Sequence, residues 1–328
     1  MDGNYLVAER LSAFLAEFQF DQEIPGIFII NLMEQQSPEE DLYLKYKKLI
    51  KYQKDLQYFK DQITQEDHST LLNLEFSKQR TMDLTKVNVR IVHLAAKHNF
   101  IQLFHFLIRE VKTPLSILDS INGAKRTPLM NACQKGHIEL VKLLIEEGKC
   151  NSKFVSNSGS PLILAAESGN LELFKYLCSL KELTINDQDT VGLTPLYVAC
   201  HTGNKSIVQY LLENQVNLNV KGPKNSNINH TLAERDFPEI VEMILAKDKT
   251  LILQPDDDGN TCMHTAILWS GMRLVQALFE AGGEELVRMK NNEGVDALEM
   301  AQEENQQEPY KYLCDKLGVK EQWTCNIF

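Results

Sequence analysis

RTPLMNACQKGHIELVKLLIEEGKCN, residues 126–151, carries the start and stop signals of two short helices in one unit. Thr127 before Pro128 is a capping residue followed by the one residue type that loses nothing at a first helical position, where an N–H has no helical partner anyway. The small pair Ala132-Cys133 lets a neighbouring helix approach closely, and Gly136 suits the left-handed exit that ends a helix. Ile138, Val141, Leu143 and Leu144 then supply apolar residues at helical spacing. A unit this short cannot bury its apolar face alone. It predicts neighbours of the same kind, stacked so that their faces merge into one core.

Those neighbours are present. GSPLILAAESGNLELFKYLCS at 159–179 and LTPLYVACHTGNKSIVQYLLENQVNLN at 193–219 repeat the pattern, with the starts Thr127, Ser160 and Thr194 spaced 33 and 34 residues apart. Weaker copies extend it both ways. RIVHLAAKHNFIQLFHFLI upstream keeps a histidine and the Ala95-Ala96 pair, whereas NINHTLAERDFPEIVEMIL keeps His230 and the second helix but has lost Thr-Pro-Leu. TCMHTAILWSGMRLVQALFEAGG recovers the pattern, and DALEMAQEENQQEPYKYLCDKLG reads as a degenerate terminal cap.

These residues resemble the ankyrin repeat family. The resemblance implies an all-α solenoid of about seven helix-turn-helix repeats with β-turn tips, over about residues 87–318 or roughly 70% of the chain. It also implies a protein partner on the concave face. Residues 1–86 are then a helical N-terminal segment or cap, and 319–328 a flexible tail.

The repeat spacing answers several chemical readings. His93, His230 and His264 occupy the histidine of a Thr-Pro-Leu-His pattern, where the ring bonds the local turn rather than a metal or substrate. Cys133 and Cys200 replace a small alanine and read as core residues. HLAAKH at 93–98 lacks the glutamate and spacing of a zinc-hydrolase helix. The acidic PDDDGN at 255–260 lacks the length and terminal glutamate of a calcium loop and reads as a turn tip. With no P-loop, G-x-G-x-x-G, G-x-S-x-G or kinase signature, the sequence predicts no catalytic residue, no metal, no cofactor and no enzyme.

Composition narrows the partners. A formal net charge of -11 argues against nucleic acid, which needs a basic surface. Seven cysteines without a C-x-x-C pair fit reduced thiols in the cytoplasm. The acidic start MDGNYLVAER predicts no signal peptide, and the apolar run IPGIFIINLM at 24–33 is too short to span a bilayer.

The front segment has a different character. Val7, Leu11, Phe14, Leu15 and Phe18 form one helical stripe, and Ser37, Pro38 and Glu40 open a second helix whose buried stripe runs from Leu42 to Ile63. Lys47, Lys51 and Lys54 on its other face read as a solvated surface. Phe14-Leu15, Ile24-Pro25 and Leu32-Met33-Glu34-Gln35, with the Tyr-bearing helix that follows, resemble the BART-like helical domain that binds small Arf-like GTPases. This implies a small GTPase as a partner; the alternative is a cap over the first repeat.

Carried over position by position, the ankyrin resemblance points the eleventh and twelfth residues of each repeat to the concave face. They read Lys97-His98, Gln134-Lys135, Glu167-Ser168, His201-Thr202, Glu234-Arg235, Leu268-Trp269 and Glu303-Glu304. Leu268-Trp269 stands out as large and apolar, next to Arg235 of the preceding repeat. Trp and Arg are the residues most enriched at binding hot spots. Trp269, Leu268, Arg235, His201 and Lys135 are therefore the expected partner-binding residues.

The sequence ends Cys325-Asn326-Ile327-Phe328, a C-a-a-X pattern in which Phe328 favours geranylgeranyl over farnesyl. A single prenyl chain gives reversible membrane binding, and few basic residues stand near it to strengthen the anchor. The expected function is a non-enzymatic adaptor or scaffold, targeted reversibly to membranes. Alternatives are a small-GTPase effector or trafficking module and a structural component of a cytoskeletal assembly.

Overall fold

The structure is a computed structural model that describes residues 75–80, 83–157, 159–269 and 271–321. The expected N-terminal helices and Cys325 lie outside the described residues. The chain divides into two compact units that part between Pro128 and Leu129.

In the first unit, β1 (Glu75–Arg80) and β2 (Asp83–Arg90) form an antiparallel pair with Phe76 opposite Val89. The expectation of helix up to residue 86 is corrected here. Lys86-Val87-Asn88-Val89-Arg90 alternates apolar and polar residues with β-branched valines, which is the period of a strand. The first helix pair follows: α1 (Ile91–Lys97) and α2 (Ile101–His105), the latter continued by a π-helical turn Phe106–Glu110. Asn99 turns between them in the left-handed region, and Phe100, Leu103, Phe104 and Leu107 are buried around the pair. A short helix α3 (Leu115–Leu118) leads out of it.

From Pro128 onward the helices come in pairs. They are α4 (Pro128–Gln134) with α5 (Ile138–Lys142, continued by a π-helical turn Leu143–Glu147), and α6 (Pro161–Ser168) with α7 (Leu171–Ser179). Then come α8 (Pro195–His201) with α9 (Lys205–Glu213), and α10 (Ile228–Arg235) with α11 (Pro238–Leu245). α12 (Cys262–Trp269) with α13 (Met272–Arg288) and α14 (Ala297–Glu303) with α15 (Gln307–Leu317) complete the series. With α1 and α2 that is seven pairs among the described residues, the number the period predicts, and every repeat is helical.

Local chemistry sets the boundaries. Ser160 Oγ accepts the Ile163 N–H at 3.3 Å, and Thr194 Oγ1 accepts that of Tyr197 at 3.2 Å, so both start their helices as caps before proline. Gly136, Gly169 and Gly203 exit at φ 73°, 75° and 72°. Ala132, Cys133, Ala165, Ala166, Ala199 and Cys200 are buried, which lets adjacent first helices lie close. Burial pushes the Cys133 and Cys200 thiols up, keeping them protonated as small core residues.

The turn tips share one device. Asp189 Oδ1 accepts the N–H groups of Val191 and Leu193 at 3.0 and 2.9 Å. Asn291 Oδ1 does the same for Glu293 and Val295, both at 3.0 Å. Asp256 Oδ1 serves Asp258 and Asn260 at 3.0 and 2.9 Å, so this acid closes its own turn tip.

Adjacent repeats are joined by polar bridges. The Thr261 N–H donates to His264 Nδ1 at 3.1 Å, which leaves Nε2–H to donate to the Val295 carbonyl at 3.2 Å, 31 residues on. His230 likewise takes the Asn227 N–H at 3.2 Å and reaches the Asn260 carbonyl at 2.8 Å. In the first unit His93 Nε2 lies 2.9 and 3.0 Å from the carbonyls of Ser120 and Arg126. Asn170 and Asn204 bridge backwards, donating to the carbonyls of Gly136 at 2.8 Å and Ala166 at 2.7 Å. The turn histidines therefore bond more than their own turns.

Candidate functional site

Because the first helices pack side by side, their last residues form a row of end positions. Each contributes one or two side chains that no core position claims. In repeats two and three, Gln134 Nε2 donates to both carboxylate oxygens of Glu167 at 3.0 and 3.2 Å. In repeats four and five, the Arg235 guanidinium donates to Nε2 of His201, whose ring stacks on Tyr197 at a centroid distance of 6.4 Å. Burial first, and then the Arg235 charge, hold His201 below its ordinary pKa, while Glu234 and Glu167 oppose the shift. A neutral imidazole is what this bond needs, since a protonated Nε2 could not accept it.

Repeat six breaks the row. Leu268 is half-buried, but Trp269 is 70% exposed at the end of α12. Lys135 is exposed in repeat two. Of the five expected residues, then, His201 and Arg235 meet directly, and Arg235 turns one repeat back rather than toward Trp269. On the second helices the tyrosines are engaged: Lys142 Nζ lies over the Tyr176 ring at 5.8 Å, and Lys175 Nζ over Tyr210 at 5.8 Å.

Two residues escaped the sequence reading. Val191 is 64% exposed at the turn tip before α8. Asp236 stands at φ 58° where repeats two, three and four have glycine, and its carboxylate lies 3.1 Å from where a Cβ on Gly271 would be. The replacement of Gly-Asn by Asp-Phe at 236–237 was the signal for the second. No group of three or more metal-ligating side chains occurs among the described residues. None of their helices is long and apolar enough to cross a membrane.

Paired short helices at a period near 33 residues, capped at Ser/Thr-Pro and joined through Asx turns, define a helical-repeat protein. The family model described as "Ankyrin repeats (3 copies)" matches residues 92–189 and 180–253, so this stretch carries ankyrin repeats, and the fold is that of an ankyrin solenoid. Protein fem-1 homolog A-like of Mus musculus is 35% identical over 109 residues, covering 33% of this chain and 16% of that protein. Transient receptor potential cation channel subfamily A member 1 of Homo sapiens is 28% identical over 178 residues, covering 52% of this chain and 15% of that protein. The chain thus spans under a fifth of the length of either. Among solved structures, a chain in the complex of the Bd0816 predatory endopeptidase of Bdellovibrio bacteriovorus with immunity protein Bd3460 aligns with a TM-score of 0.52. It is 27% identical, and the alignment covers 57% of this chain and 97% of that one. Ankyrin repeats are modules of protein–protein interaction, which is the functional class the fold supports.

Proposed function

We propose that the chain is a non-enzymatic adaptor that holds a protein partner on the concave face of its repeats. Trp269 and Leu268 form the anchor, with Arg235, His201 and Lys135 as the polar surround. The exposure of Trp269 carries this reading. Leaving an indole in water forgoes about 2–4 kcal/mol of burial, and a row otherwise made of polar residues gives no folding reason to place one there. Aromatic residues with an arginine nearby supply most of the affinity at protein interfaces.

The test compares the full-length chain with its Trp269→Ala and Arg235→Glu double variant by quantitative pull-down from cells, after urea midpoints have shown both to be folded. Loss of the partners recovered by the parent chain is expected. An unchanged partner set from the folded variant removes this face from the binding site.

Reversible membrane targeting through a prenyl group on Cys325 is the finer part of this proposal. It rests on the sequence Cys325-Asn326-Ile327-Phe328 alone, because Cys325 lies outside the described residues. Cys314, the nearest other thiol, is buried on α15 and is not placed to add a second acyl chain. The intact mass of the C-terminal peptide from cells decides it: a prenylated cysteine is expected, and a free thiol followed by Asn326-Ile327-Phe328 rejects it.

A further inference from the structure

The surround of Trp269 differs from the rest of the row in charge. α10, α12 and α14 are packed as neighbours, so the residues ending them stand side by side. Glu234 in the last turn of α10 and Asp236 just after it lie on one side, and Glu303 at the end of α14 and Glu304 just after it lie on the other; all four are exposed. The Asp236 carboxylate reaches the start of the second helix of repeat six, beside the Gly271 backbone. The single cation in this group, Arg235, is committed to His201. The last carbonyls of the three helices add the negative ends of their dipoles to the same surface.

We propose that Trp269 receives a cationic side chain of the partner, an arginine or lysine, which lies on the indole face with Asp236, Glu303 and Glu304 as counter-charges. This deepens the adaptor reading above and rests on it. An apolar partner residue would cover the indole but leave neighbouring carboxylates stripped of water without a partner. A cation satisfies both surfaces at once, and tryptophan is the ring that attracts cations most strongly. A basic partner segment is also drawn in over distance by a chain of net charge -11.

The probe is a fluorescein-labelled hexa-arginine peptide, read by anisotropy against the full-length chain at moderate salt, with hexa-glutamate as the control. Saturable binding of hexa-arginine alone is expected. Trp269→Ala should weaken it about tenfold and Trp269→Phe by less, in line with cation–π attraction. The triple variant Asp236→Asn, Glu303→Gln, Glu304→Gln should weaken it at least as much. A charge-matched remote triple, Glu182→Gln, Glu213→Gln, Glu285→Gln, should bind within about twofold of the parent, since screened distant charges contribute little. Equal weakening by both triples means diffuse attraction to an acidic protein and overturns the proposal, as does full binding by Trp269→Ala. If the peptide ignores Trp269 while Trp269→Ala still strips the cellular partner, the cationic chemistry fails and the adaptor reading stands. If the peptide behaves as expected but the cellular partners are indifferent to Trp269, the adaptor reading is the one that fails.

Discussion

Repeats four and five adjoin one another and have nearly the same backbone, yet different side chains produce it. Repeat four opens with Thr194-Pro195-Leu196 and exits at Gly203; repeat five opens with Asn227-Ile228-Asn229 and exits at Asp236. Asn227 caps as well as Thr194 does, accepting the N–H of Asn229 at 2.9 Å, and Asp236 takes the left-handed exit at φ 58°. The backbone tasks are therefore met by any residue with the right short-range chemistry. The core is less forgiving. Leu196 is buried among apolar neighbours, whereas Asn229 at the equivalent place is 0% exposed, and its amide oxygen and nitrogen have no hydrogen-bond partner among the described residues. The junction differs too. Asn204 bonds back to repeat three, while its counterpart Phe237 lays its ring against Gly203, so repeat five meets repeat four by packing alone at that point.

The largest expected effect comes from filling that junction. A Cβ on Gly203 would stand 2.5 Å from Phe237 Cζ and would also force alanine into φ 72°. Gly203→Ala should lose about 2–4 kcal/mol, the sum of left-handed strain and overpacking, read from the urea midpoint. Gly294→Ala, at φ 80° with nothing within 4 Å of the added atom, should lose only the strain, about 1–2 kcal/mol. If the two variants lose the same amount, Phe237 moves aside and the contrast between the junctions is weaker than described.

Next is the buried amide. Asn229→Leu restores the residue type found at 129, 162 and 196 and removes two polar groups from the core. It should raise stability by about 1–3 kcal/mol. Hydrogen exchange should show the gain in α10 and α11 more than in α8 and α9, since repeat arrays open locally. A variant no more stable than the parent would mean that the amide is well satisfied in solution.

Acid should act on repeats five and six, whose first helices carry a buried histidine where repeat four has Tyr197. Burial first holds His230 and His264 below their ordinary pKa of 6.5. Below pH 6.5 the unfolded chain takes up protons that the folded one refuses, so stability is complete above 6.5 and falls as pH drops toward the folded values. His264→Gln should weaken the fold at about pH 8, where the bridge is lost, and flatten this acid slope in pH-dependent urea titrations. The smallest change belongs to the exposed contact on the row. His201→Ala should shift stability by under about 0.5 kcal/mol, because a half-exposed polar contact contributes little.

The parts of this fold that were legible in the sequence are those set by near neighbours. Capping, proline placement, left-handed exits and the small pairs all act within about four residues, so a period of 33 and 34 residues suffices to place seven helix pairs. The histidines were half legible. Spacing from the cap reveals the bond to Nδ1, but the carbonyl that receives Nε2–H comes from the next repeat and has no local mark. Helix is expected up to residue 86, where β1 and the first half of β2 lie; the alternation at 86–90 marks only the end of β2, and EFSKQR in β1 carries no strand period of its own. The exposed position of Trp269 could be read from its place in the repeat. The turn of Arg235 toward His201 could not, since a long side chain chooses among several neighbours by charge and packing.

The bridges of His230, His264, Asn170 and Asn204 all end on backbone carbonyls, a group that almost every residue carries in the same place. Such a bond does not ask which amino acid receives it. These bonds therefore allow a whole unit to be duplicated, removed or exchanged without a compensating substitution in the recipient, whereas the joint of Phe237 on Gly203 requires glycine in the neighbour. As far as the carbonyl bonds are concerned, the array can change length while keeping its joints.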